Sequence, residues 1–185
     1  MAESDYEKSL IQHYASTWSP PLHQIRIEGG RIGELSLQFS VLVMEAGSDR
    51  MAYATCCMSQ PEDEERLELH VLTAQTTSAM DNIVELLHAA AIYHRTGARL
   101  GLGHTVNFGQ PWFCGSLCSY GFVSLPYPYG PSLEWQDEPE VRFLWLIPIT
   151  PEEAAFKNSH GIEALEERFE AVQFNYLDPM RPSVM

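Results

Sequence analysis

Near the start of the chain Tyr6, Leu10, Tyr14 and Trp18 recur at helical spacing, and Ile11 widens the stripe. This pattern predicts an amphipathic helix over Ser4 to Trp18, closed by Pro20-Pro21. Gly29-Gly30 and Gly33 mark turns. Leu35, Leu37, Phe39, Val41 and Val43 then alternate with Ser36, Gln38, Ser40, Leu42 and Met44. A period of two predicts a strand with one fully buried face. Gly47-Ser48-Asp49 turns the chain into a second strand, Met51 to Met58, and Leu67, Leu69 and Val71 begin a third. Between these two strands, Gln60-Pro61-Glu62-Asp63-Glu64-Glu65 forms an acidic loop. Pro61 cannot serve a ladder and adjacent carboxylates repel in a paired strand, so the loop reads as a hairpin tip.

The second half opens on the longest helical pattern, Ser78 to Arg95. Ile83, Val84, Leu86, Leu87, Ala90 and Ala91 form its apolar stripe. Asp81 and Arg95 suit the helix dipole and Gly97 ends it. From Arg99 to Pro131 glycines break the pattern, leaving short strands at His104 to Phe108 and Ser119 to Leu125 and an extended surface loop at Pro126 to Pro131. Val141 to Ile149 is apolar throughout except at Arg142, which predicts a central strand buried on both faces. Thr150-Pro151-Glu152-Glu153 is a capping box that starts a short helix. After Ser159-His160-Gly161 a last helix places Ile162, Leu165, Phe169 and Val172 on one face. The tail, including Asp178 to Pro182, is expected to be ordered only if it docks. Strands in succession before the main helix favour α+β over a parallel α/β sheet. The expectation is one domain over 1–185, with 172–185 as its tail.

Composition narrows the function classes. The 185 residues carry 25 acidic and 11 basic side chains, a net charge of −14. Such a surface repels phosphate backbones, which excludes nucleic acid as the expected partner, and draws in basic proteins. No apolar run approaches the ~20 residues of a membrane span. The acidic, polar start lacks the layout of a secretory signal, so the expected location is the cytoplasm.

Catalytic motifs are weak. Gly101-Leu-Gly-His104 lacks the third glycine of a dinucleotide loop and opens no helix. Gly115-Ser-Leu-Cys118 lacks the spacing of a nucleophile elbow. Cys56 and Cys57 read as buried thiols. Cys114 and Cys118 have the spacing of one zinc-ligand pair, and His104 is a further candidate, but no second pair follows. His88 and His94 do not eclipse on their helix, and His70 stands among the polar, solvent-facing positions of its strand. The residues thus point to no cofactor and no enzyme. Two rivals remain: a small metal-dependent or hydrolytic enzyme using His104 with Cys114 and Cys118, and a small-ligand binder in the Gly-rich aromatic region Trp112 to Tyr129.

Three strings carry a family resemblance: Gly103-His-Thr-Val-Asn-Phe-Gly-Gln-Pro111, Val141-Arg-Phe-Leu-Trp-Leu-Ile-Pro-Ile-Thr150 with Glu152 and Glu153, and His160-Gly-Ile-Glu-Ala-Leu-Glu166. Tyr53-Ala-Thr55 and Met58-Ser59 fit more loosely. With these, the chain resembles the Suppressor of fused domain from about Met51 to Val172. The resemblance implies a mixed, mainly antiparallel sheet flanked by helices, and a role in binding and restraining another protein. Animal members carry a further C-terminal domain, for which this chain leaves only a short tail. Small free-standing bacterial relatives include immunity proteins that neutralise toxins, which implies a basic toxin domain as a partner. Where animal members carry an acidic residue after the glycine, this chain has His104. The partner-binding candidates are therefore Glu62, Asp63, Glu64, Glu65 and His104.

Overall fold

The computed structural model describes residues 3–27, 35–75 and 80–185. The turn glycines at 29, 30 and 33 and the expected helix start at Ser78 lie outside them. Helix α1 (Glu3–Ala15) leads to strands β1 (His23–Ile25), β2 (Ser40–Glu45), β3 (Arg50–Cys56) and β4 (Leu67–Ala74). Helix α2 (Met80–Thr96) precedes β5 (Thr105–Asn107), β6 (Tyr120–Ser124), α3 (Pro131–Glu134), β7 (Trp135–Gln136) and β8 (Val141–Ile149). Helices α4 (Pro151–His160) and α5 (Ile162–Val172) follow. The sheet runs β1-β2-β3-β4-β8-β6-β5, with β7 added on β8. Every pair is antiparallel except β4 and β8, which run parallel, Leu69 opposite Leu144. This is the expected mixed, mainly antiparallel sheet flanked by helices.

Both faces of the sheet are covered. Val43, Tyr53, Leu69, Val71, Leu144 and Leu146 meet α2 and the segment around Trp112. Leu42, Ala54, Leu72, Phe143 and Trp145 meet α1 and the pair α4–α5, through Tyr6, Leu10, Tyr14, Leu165 and Phe169. Strand β8 is the doubly buried strand its apolar run predicts. Thr150 and Glu153 close the reciprocal capping box at the head of α4.

Double coverage also overturns several expectations. Strand β2 starts at Ser40, after a turn that leaves Leu37 89% exposed, and it is buried on both faces rather than one. His70 is fully buried instead of facing solvent, because its side of β4 lies under α1, with the Trp18 ring 5.2 Å away. Burial drives its pKa down to about 3, so it is held neutral. Glu68 on the same face is equally buried. Its carboxylate accepts from Thr55 Oγ1 at 2.6 Å, Ser59 Oγ at 2.7 Å and the Ser59 and Met58 amides. Val172 closes α5 on its exposed side.

The tail docks. Arg181 donates to both carboxylate oxygens of fully buried Glu153, at 2.7 and 2.8 Å, and to Pro148 O at 2.9 Å. Its guanidinium also lies against the Phe169 and Phe174 rings. The same glutamate thus caps α4 and anchors the C-terminal segment.

Candidate functional site

The acidic loop joins β3 to β4 as the expected hairpin tip, but its carboxylates are not equivalent. Asp63 accepts from the Gln60 amide at 2.8 Å and is paired with Arg95 of α2, so it fixes the loop to the body of the protein. Glu62, Glu64 and Glu65 are exposed and take no part in an ion pair among the described residues. The loop therefore presents free negative charge on a rigid base, not the uniform run of solvated charge its sequence suggests.

Glu64 and Glu65 border a hollow of about 310 Å³, whose other walls include Arg66, Arg99, Leu100, Trp135 and Arg142. Arg66 crosses its base, donating to Pro61 O at 2.7 Å and Glu140 O at 3.2 Å. Arg142, the lone polar residue of the β8 run, donates from Nε and Nη2 to one oxygen of Glu134, at 3.0 and 2.8 Å. Its guanidinium stacks 5.1 Å from the centre of Trp135, which is 44% exposed. His94 closes the inner wall and accepts from the Leu100 amide through Nδ1 at 2.9 Å. Burial, with Arg95 and Arg99 nearby, lowers its pKa and keeps it neutral. Sequence reasoning missed Trp135 and Arg142 as site residues; the single charge inside an apolar strand was the signal for the second.

Leu100 also walls a smaller hollow that contains His104, Thr105 and Lys157. His104 is exposed and stands at the head of edge strand β5. The bend that puts it there needs glycine at 103. That residue has φ +82°, and a Cβ on it would come within 2.1 Å of Ile162 Cδ1. Lys157 Nζ donates to its carbonyl at 2.8 Å. The remainder of the motif is also structural: Asn107 bonds the Gly109 amide and the Tyr120 hydroxyl, and buried Trp112 donates to Tyr120 O.

The structure does not gather His104, Cys114 and Cys118. Cys114 is exposed beside Met180, and Cys118 is buried, its thiol pushed up to about 11 by burial. Among the described residues no group of His, Cys, Asp or Glu is placed to hold a metal ion. What the site offers is recognition chemistry: free carboxylates, an exposed indole and arginine held by an acid.

Layered helices on this mixed sheet define a Suppressor-of-fused-like domain. The sequence pattern of the Suppressor of fused protein (SUFU) family matches residues 36–182, and the chain belongs to that family. It is similar over 98% of its length, and 98% of the other chain, to a Neisseria gonorrhoeae FA 1090 protein described as a SUFU homolog, with 30% identity and a TM-score of 0.81. The Sufu–Fu complex matches over 97% of this chain and 92% of that one, at 15% identity and a TM-score of 0.74. Drosophila Suppressor of Fused matches at 15% identity and a TM-score of 0.71, over 97% of this chain but only 51% of its own. The last two likenesses concern the fold alone. No curated protein matches. No helix among the described residues is long and apolar enough to cross a membrane.

Proposed function

We propose that this chain is a non-catalytic protein-binding domain that masks a partner, acting in the cytoplasm as an immunity protein or a related regulator. The observation that carries the reading is the hollow lined by Glu64, Glu65 and Trp135, with Glu62 exposed on the same loop. Here free carboxylates, fixed to the fold through Asp63 and Arg95, flank an exposed aromatic side chain beside a preformed hollow. Trp and Arg are the side chains that dominate binding hot spots, and a charged rim steers encounter. With a net charge of −14 the complementary partner is a basic protein surface, such as a basic toxin domain. His104 lines a separate, smaller hollow beside edge strand β5, whose only residue in common with the first is Leu100. Family membership supports the class of function, since a member is known in complex with another protein, Fu.

The test is capture of partners from the native cell with the tagged chain, in parallel with a Glu62→Gln, Glu64→Gln, Glu65→Gln variant. A basic protein retained by the parent and depleted with the variant is expected. Equal retention by both would remove the loop from the interface.

A further inference from the structure

On the sheet face opposite Leu144, beneath α5, a second hollow of about 250 Å³ is walled by Phe122, Trp145, Phe169, Phe174 and Tyr176. Its polar lining is Glu166, Glu170, Tyr127, Ser124 and Gln173, and it includes no basic side chain. Glu166 is held in place from both sides: Ser124 Oγ donates to Oε1 at 2.9 Å and Tyr127 OH to Oε2 at 3.1 Å. Both donors are neutral, and no ion pair engages Glu166 or Glu170 among the described residues. The negative field is felt locally: burial, and then Glu166 and Glu170, push the Tyr127 phenol up to about 12.

A guest in this hollow must satisfy two demands at once. Aromatic faces carry negative quadrupoles and attract cations. A positioned carboxylate whose hydrogen-bond donors are both neutral would be left buried without a counter-charge by an apolar guest, which is unfavourable, and an anion would be repelled. A guanidinium meets both demands, because its flat faces stack on rings while its edge pairs with a carboxylate. The same rings already accept one from inside. The Arg181 guanidinium lies 5.6 Å from the centre of Phe169 and 5.1 Å from that of Phe174, with its charge neutralised by Glu153. Arg50, the other nearby cation, reaches only the Tyr176 hydroxyl at the margin.

We propose that this hollow receives one arginine side chain from the partner protein, its guanidinium against Glu166 and its stem among the aromatic walls. The volume suits a single side chain and not a folded segment, and the charge is complementary to a basic partner. This inference rests on the protein-binding reading and names the residue the partner presents.

The probe is N-acetyl-arginine methylamide, titrated into the full chain and followed by the indole N–H resonance of Trp145. A saturable shift is expected, with the neutral citrulline analogue at least about tenfold weaker, as is the arginine probe on Glu166→Gln. Glu170→Gln, on the exposed rim, should weaken it less and serves if Glu166→Gln fails to fold. No saturable shift, or equal binding of citrulline, overturns the proposal. Agmatine binding about tenfold tighter than the amide would also overturn it, in favour of a small organic cation. If the amide fails while a protein is still captured through the acidic loop, only the arginine pocket falls. Amide binding with no protein captured would sink the partner itself.

Discussion

Replacing Arg181 with Met should destabilise the protein far more than its place near the C-terminus suggests. Glu153 is fully buried and Arg181 is 5% exposed, so neither charge is solvated by water. The substitution removes two charge-assisted bonds to Glu153 and the donor to Pro148 O, while the Thr150 and Val184 amides, each 2.9 Å from the carboxylate, remain. Two amides do not replace a guanidinium, and an uncompensated buried charge costs about 3–5 kcal/mol. Pairing Arg181→Met with Glu153→Gln removes that charge and keeps a side chain able to complete the capping box. The double variant should therefore be at least about 1 kcal/mol more stable than Arg181→Met alone. Urea unfolding followed by far-UV circular dichroism measures both, with the slope unchanged if the native fold persists. A loss below about 1 kcal/mol for Arg181→Met, or a double variant less stable than the single, would refute the reasoning.

Two further perturbations test the interior. Leu144→Ala, on the central strand, should cost about 2–5 kcal/mol in the same assay through lost burial and a cavity; a loss below about 0.5 kcal/mol would contradict its position. Glu68 has a pKa raised to about 7 from 4.5 by burial, so it contributes stability that is present below pH 4.5 and lost as pH rises through 7. The full effect is about 3 kcal/mol, and Glu68→Gln should remove it. The stability difference between variant and parent should then move in the variant's favour from pH 5 to pH 8. His70, with its folded pKa lowered, gives the opposite slope in both chains, with stability lost as pH falls from 6.5 towards 3, and so cancels in that difference. Parallel stability curves would exclude the assignment.

What was legible in the sequence was local. The apolar run of β8, interrupted only at Arg142, the stripe of α2 and the capping box at Thr150 each carry their own signal, and the structure places them as read. His70 was misleading, because a polar position in a strand normally marks the wet face, and Glu68 was not singled out at all. Here α1 covers that face, and the groups that satisfy Glu68 come from Thr55 and from Ser59 just beyond β3, which no window around residue 68 contains. Arg181 was hidden for the same reason: its partner is 28 residues away, and the prolines around it speak only of an irregular segment. The acidic loop was visible as charge, but the division between anchored Asp63 and free Glu62, Glu64 and Glu65 depends on Arg95, a tertiary neighbour. Tyr127 fell within the aromatic region that the rival small-ligand reading singled out. The hollow it borders is completed by α5 and by Phe174 and Tyr176, which no predicted element included.

Docking of a basic protein on the acidic loop is read out by association kinetics with the captured partner. Stopped-flow rates at low and physiological salt should fall steeply for the parent chain, because exposed charges are screened beyond about 8 Å at physiological ionic strength. The Glu62→Gln, Glu64→Gln, Glu65→Gln variant should fold normally and associate more slowly at low salt, with a shallower salt dependence. A salt-independent rate for the parent, or an unchanged rate for the variant, would contradict the account.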